Sequence, residues 1–426
     1  MNFNSSLIFI LILWSSTAHC LDTTIGTHSF IYPQKIAGTQ DSYTLFSENI
    51  AQELSLNKLK IKANISCYQS VPGLGKSQNH YVEPQELTVG FKISSTLRLS
   101  LGFNVINWGI IDGYSPNANT SAEVLWNPLH SKKRSSPILE ITLDNYNSRL
   151  NLIYIPQQQV SLLPGEESRW LPRTLLINTS TDYGKIILPE TLNYTYQDYS
   201  DPNKSLSNNW GLQWQYRLDD WDFYLTHFNG FNPSPKIKPT VSLVVNNPNE
   251  VYAQSDILLQ PIYYRLQKTG ASIVWTKNRS IFRYETAYSH RLDESTSMTP
   301  WSLENALSWE FNSQIMGKSM TYITQVYYSV YPDSADNFPI SHFRLYEKSI
   351  VLAGRYSLTE RSSLTFSILH QLESPNFAGG ISYRSPFLID SLIIEIGYDF
   401  IEGSTDSLLG TYSKNDQFSI ALEQHF

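Results

Sequence analysis

Apolar and polar residues alternate one by one through most of this chain. From Asn209, Trp210, Leu212, Trp214 and Tyr216 fall on one face of an extended segment, and Gly211, Gln213, Gln215 and Arg217 on the other. A two-residue period of this kind marks a strand whose faces meet different surroundings. Asp219-Asp220 makes a tight turn, after which Trp221, Phe223 and Leu225 oppose Asp222, Tyr224 and Thr226. Upstream, Leu97, Leu99, Leu101, Phe103 and Val105 oppose Arg98, Ser100, Gly102 and Asn104; downstream, Leu392, Ile394, Ile396, Tyr398 and Phe400 oppose Glu395 and Asp399. Further candidates lie near 255–267, 270–277, 279–290, 301–311, 319–330, 349–359, 362–373, 376–385, 406–413 and 416–426. Tight turns such as Thr359-Glu360-Arg361 alternate with longer connections such as 331–342. The pattern predicts an all-β chain, a transmembrane antiparallel up-and-down β-barrel of about 16 strands, within a range of about 14 to 18.

Composition sharpens this picture. The chain has 426 residues, 27 of them Tyr, and only 16% are charged, against about 25% in ordinary soluble domains. After the N-terminus no apolar run approaches the ~18 residues of a spanning helix. Aromatic girdles, few charges and no long apolar runs suit a barrel whose alternate residues meet lipid. Backbone groups inside a bilayer have no water to bond, so strands cross it only as a closed ring. A net charge of −7 argues against a general nucleic-acid binder.

At the N-terminus, Leu7 to Trp14 form a short apolar core followed by Ser15, Ser16, Thr17 and Ala18, which reads as a signal peptide over 1–20, cleaved after Ala18 or Cys20. In the first case Cys20 survives and can pair with Cys67; in the second Cys67 stands alone. Residues 21–56 are weakly patterned and are expected as a periplasmic or inward-folded extension, leaving 57–426 for the barrel. Gly73-Leu74-Gly75-Lys76-Ser77 lacks the first glycine of a phosphate-binding loop, because Ser70 stands there, and reads as a hairpin connection.

Several segments carry a family likeness. The last strand alternates Phe418, Ile420 and Leu422 with polar residues and ends on Phe426, with Gln424 where an aromatic or apolar residue is usual. It resembles the assembly signal of Gram-negative outer-membrane barrels. Trp108-Gly109-Ile110-Ile111-Asp112, followed by Asn127-Pro128, resembles a W-G-x-x-D…N-P loop motif of porin-like proteobacterial outer-membrane proteins, the alginate-export and related families. Residues 163–172, rich in Pro, and Arg283-Tyr284-Glu285-Thr286-Ala287-Tyr288 extend the likeness. The resemblance implies an outer-membrane porin or exporter of sugars, alginate-like polymers or apolar compounds, with lipid, lipopolysaccharide and the barrel-assembly machinery as partners, a homo-oligomer as one possible state, and no cofactor or metal.

In a membrane barrel the polar faces line the lumen, and opposed charges there set selectivity or brace the wall. The candidates are Arg98, Asn104, Arg217, Asp222, Arg283, Glu285, Arg355, Glu395 and Asp399. The longest stretch without alternation, 157–207, exceeds the ~15 residues of an ordinary loop. It is expected either to fold into the lumen, with Glu166, Glu167, Arg169 and Arg173 at a constriction, or to remain on the surface. Lys132-Lys133-Arg134 reads as a solvated loop or a grip for lipopolysaccharide phosphates. Catalysis is not expected. Thr226-His227-Phe228-Asn229-Gly230 resembles the H-x-S-N-G of barrel phospholipases but has Phe228 where the nucleophile belongs. Three readings follow: a channel, a surface barrel acting through its loops, and a secreted soluble all-β protein.

Overall fold

Each strand pairs with its neighbour along the chain until the last returns to the first, and this register closes the sheet. The computed structural model describes residues 22–72, 80–118, 120–171, 180–181, 184–187, 192–197, 206–247, 250–292, 301–332, 345–373, 375–404 and 407–426. Eighteen strands form the ring: β1 (Asp22–Ile31), β2 (Ser42–Leu56), β3 (Leu59–Val71), β4 (His80–Lys92), β5 (Leu97–Asn104), β6 (Ser136–Asp144), β7 (Ser148–Gln157), β8 (Ser207–Leu218), β9 (Trp221–Phe231), β10 (Arg265–Lys277), β11 (Ser280–Arg291), β12 (Trp301–Ile315), β13 (Lys318–Val330), β14 (Lys348–Ser357), β15 (Ser363–Gln371), β16 (Asn376–Phe387), β17 (Ile389–Glu402) and β18 (Gln417–His425). Antiparallel pairing of β18 with β1, from Ile31 opposite Phe418 to Thr24 opposite His425, completes it. A closed ring leaves no unpaired edge.

Residues 21–56 supply two strands of the ring that the alternation does not predict. That segment is wall, not an extension: β1 and β2 pair along Asp22–Ala51 through Ile31–Ser42. Its alternation is muted because Thr27, Ser29, Thr44, Glu48 and Gln52 share the outward face with Ile25, Ile31 and Phe46. Two other strand candidates also differ. Residues 250–262 belong to a separate five-stranded sheet, where Glu250–Ile262 pairs with Lys236–Asn247, Gly184–Ile187 and Asn193–Tyr196. Residues 408–411 form a single helical turn.

One end of the ring is stitched by tight turns. Asn57, Asp219, Asn278 and Met316 each hold positive φ there, a conformation Asn and Asp tolerate through local hydrogen bonding. Met316 and Gly317 are both left-handed, as a two-residue hairpin matched to strand twist requires. The other end carries the long connections and the second sheet. Outward residues such as Leu307, Trp309, Tyr322, Val326, Leu352 and Phe366 remain exposed. Toward the tight-turn end Trp221, Trp275, Phe282 and Trp309 form a row with ring centroids 5.5, 5.3 and 6.2 Å apart. The packed core therefore lies inside the ring, where a loop fills part of it.

Candidate functional site

The segment 105–135, between β5 and β6, turns inward and crosses the lumen. Its root packs Ile106 and Trp108 against Ile138, Ile153, Ile155 and Phe228 of the wall. Trp108 reaches the wall at Gly211, where any Cβ would overlap the indole. Its middle packs Ile111 and Tyr114 against Ala306 and Tyr327 on the far side.

Glu285, in the middle of β11, holds this loop. Its carboxylate is fully buried and accepts hydrogen bonds from the Ile110 N–H, the Ile111 N–H (3.2 Å), the Ser115 hydroxyl (2.5 Å) and the Asn117 N–H (3.4 Å). A buried carboxylate is tolerated only when its oxygens are fully satisfied, and here the loop backbone supplies most donors. Neighbouring bonds extend the anchor. Tyr114 donates to Glu304, Asn117 Nδ2 to Ser272 (2.9 Å), Gln325 to the Asp112 carbonyl (2.8 Å) and Tyr327 to the Tyr114 carbonyl (3.0 Å). At Gly270 a Cβ would overlap the Asn117 side chain, so the wall is glycine where the loop presses closest.

The loop's second half is tied to the opposite wall. Asn127 caps the short turn Pro128–His130 by accepting from the Leu129 N–H (3.2 Å), with Pro128 at its first position; both are favoured there because the cap fills an orphan N–H and Pro has none to lose. Asn127 Nδ2 also donates to Tyr43 and Gln417, each at 3.0 Å, and His130 lies 2.8 Å from Asp399. Lys132-Lys133-Arg134 runs inside the ring rather than at an outer surface. Lys132 lies over Tyr68, Lys133 donates to Asn107 (3.0 Å) and the Ala118 carbonyl (3.3 Å), and Arg134 pairs with Glu83 at 2.9 Å. Burial, ahead of nearby Lys268, holds the Lys133 ammonium below its usual range, with Glu123 and Glu285 opposing the shift.

The motif residues thus meet: the strand carrying Arg283 and Glu285 receives the loop carrying Trp108, Gly109 and Asp112. Asp112 leaves its carboxylate exposed to the lumen. The other candidate lining residues face inward by alternation, and most pair along the wall: Arg98 with Asp144, Arg149 with Asp144 (2.9 Å), Arg217 with Asp222 (3.4 Å), Arg283 with Glu310 (2.9 Å) and Arg384 with Glu395 (3.1 Å) and Glu423 (2.6 Å). Asn104 lies opposite Ser136. Arg355 is exposed and, among the described residues, has no ion-pair partner. Glu304, Lys268, Gln325 and Arg384 were not singled out in the sequence, although their alternation within β10, β12, β13 and β16 points each one inward.

The waist is formed by 105–135, not by 157–207. The described part of that longer connection packs in the mouth at the long-loop end. Arg169 is buried and donates to the carbonyls of Gln34 (2.6 Å) and Lys414 (2.7 Å), with Tyr32 beneath its guanidinium. Burial lowers its pKa. Glu166 accepts from the Tyr196 N–H (2.9 Å), and Glu167 is exposed. Arg173, the segment 1–20 and Gly73–Ser77 lie outside the described residues. Cys67 is a free thiol, on the outward face by alternation. His227 faces outward, beside Trp210 and 2.9 Å from Thr269.

Between the loop, the wall and the mouth lies a cavity of about 760 Å³ reached by Asp112, Lys133, Lys268, Trp301, Glu304 and Asp399. No family model and no curated protein matches the chain. Solved structures do. A mutant of the Rh. blastica porin aligns at 8% identity with a TM-score of 0.42, over 96% of this chain and 99% of that one. OmpT of Vibrio cholerae lacking loop L8 aligns at 10% identity and 0.40, over 96% and 98%.

Proposed function

We propose that the chain is an outer-membrane channel of the porin kind, passing small solutes through the lumen beside the loop 105–135. The observation that carries this reading is the closed ring of eighteen strands, apolar outside, with one loop pinned across its waist and a polar-edged cavity left beside it. A space of about 760 Å³ is on the scale of a small-molecule site. The apolar outer band suits hydrocarbon, and the tight-turn end, near both β1 and β18, suits the periplasmic side. Phe426, exposed at the end of β18 and bonded through its N–H to the Thr23 carbonyl at 2.9 Å, is offered as the handle for the assembly machinery. Planar-bilayer recording tests the reading: discrete conductance steps support it, and a correctly inserted barrel that never conducts overturns it. In that outcome the second reading, a surface barrel acting through its loops, takes its place; the apolar core of the mouth sheet, Leu171, Leu192, Ile237, Ile257 and Leu259, favours it.

A further inference from the structure

Among the described residues, one buried cation inside the ring has neither an ion pair nor a hydrogen bond. Lys268, on β10, faces the cavity with 7% of its surface exposed. Among the described residues no hydrogen bond or ion pair reaches its ammonium. The surrounding charges are placed differently. Arg283 has Glu310 and Arg134 has Glu83; Lys133 has Asn107 and the Ala118 carbonyl. Of the lumen acids, Glu304 holds Tyr114 and Asp399 holds His130, while Asp112 is exposed. Desolvating a charge without a partner is costly, so an anion in contact gains most at the site least wetted.

The surroundings define that anion. Lys268 lies opposite Ser289, and Ser289 opposite Ser302, so one ammonium and two hydroxyls form a row across β10, β11 and β12 on the cavity wall. A carboxylate can accept from all three. Leu266, Ile237, Tyr264, Trp301 and Tyr346 line the same space, which suits an aromatic or aliphatic body rather than a fully hydrated ion.

We propose that the lumen carries a subsite for the carboxylate of a small organic acid, with Lys268 as its charge partner and Ser289 and Ser302 as hydroxyl donors. The inference rests on the channel reading and names its solute class.

The test is calorimetric titration of the folded barrel in detergent with benzoate, benzamide and inorganic phosphate. Benzoate binds and benzamide does not, and Lys268→Met weakens benzoate by about tenfold or more while Lys268→Arg retains it, as expected when a charge-assisted bond is removed and restored. Equal binding of benzoate and benzamide to the wild type overturns the proposal without any variant. Phosphate bound more tightly than benzoate overturns the carboxylate assignment, and undiminished benzoate binding to a correctly folded Lys268→Met barrel overturns the role of Lys268. Ligand-free conductance of the same preparation is recorded beside it: a silent barrel that binds benzoate sinks the channel reading alone, and a conducting barrel that ignores benzoate sinks the subsite alone.

Discussion

The waist loop and the mouth loop each depend on a buried charge, Glu285 and Arg169, and the difference between them shows how the lumen is organised. Glu285 belongs to the wall and gathers donors from the loop. Arg169 belongs to the loop and gives its protons to carbonyls of two other connections, Gln34 and Lys414. The first arrangement ties a loop to a strand set in a rigid ring; the second ties loops to one another. A contact anchored in a hydrogen-bonded wall holds a fixed aperture, whereas loop-to-loop contacts open with less loss. The waist is therefore the more firmly held of the two, and on the proposed channel reading it sets the constriction.

Four changes break or sharpen that contrast. Glu285→Leu has the largest effect, since it strands three loop N–H groups and a hydroxyl. It lowers stability by about 2–5 kcal/mol and raises conductance at least about twofold, read from heat-modifiable gel migration and single-channel recording; Glu285→Gln, which keeps an acceptor, costs less. Gly270→Val comes next. The new side chain overlaps Asn117, so the loop shifts off the wall at about 1–3 kcal/mol, and current noise rises. Arg169→Ala removes the mouth tie and its stacking on Tyr32. It speeds proteolysis near residues 165–171 in intact cells while single-channel conductance stays at the wild-type value. The smallest effect is at Arg217→Ala. That pair with Asp222 is largely solvated, so stability changes by only about 0–1 kcal/mol, and a modest shift in reversal potential is the measurable result.

The sequence made the wall legible and the waist only partly so. Strands such as Trp210 to Arg217 and Leu392 to Phe400 show their two faces because lipid-side and lumen-side residues differ in kind. β1 and β2 escape that test: Thr27, Ser29, Thr44, Glu48 and Gln52 interrupt the apolar residues of the outer face. Asp112 and Glu285 were both marked, but their segments are more than 170 positions apart, and nothing local says that one receives the other. The glycines at 211 and 270 look like ordinary strand breaks until Trp108 and Asn117 are seen against them. Lys268 illustrates the same limit from another side. Its alternation points it inward, yet only the lack of an ion pair or hydrogen bond among the described residues singles it out.

Single-channel conductance of two altered barrels tests the central claim most directly. In one, residues 109–118 are replaced by a short Gly-Ser linker; in the other, residues 172–205 are shortened and the waist is left intact. With the aperture set by the loop that Glu285 holds, the first barrel conducts at least about twice as much as wild type and the second conducts the same. A large rise in the second barrel with no change in the first contradicts the account.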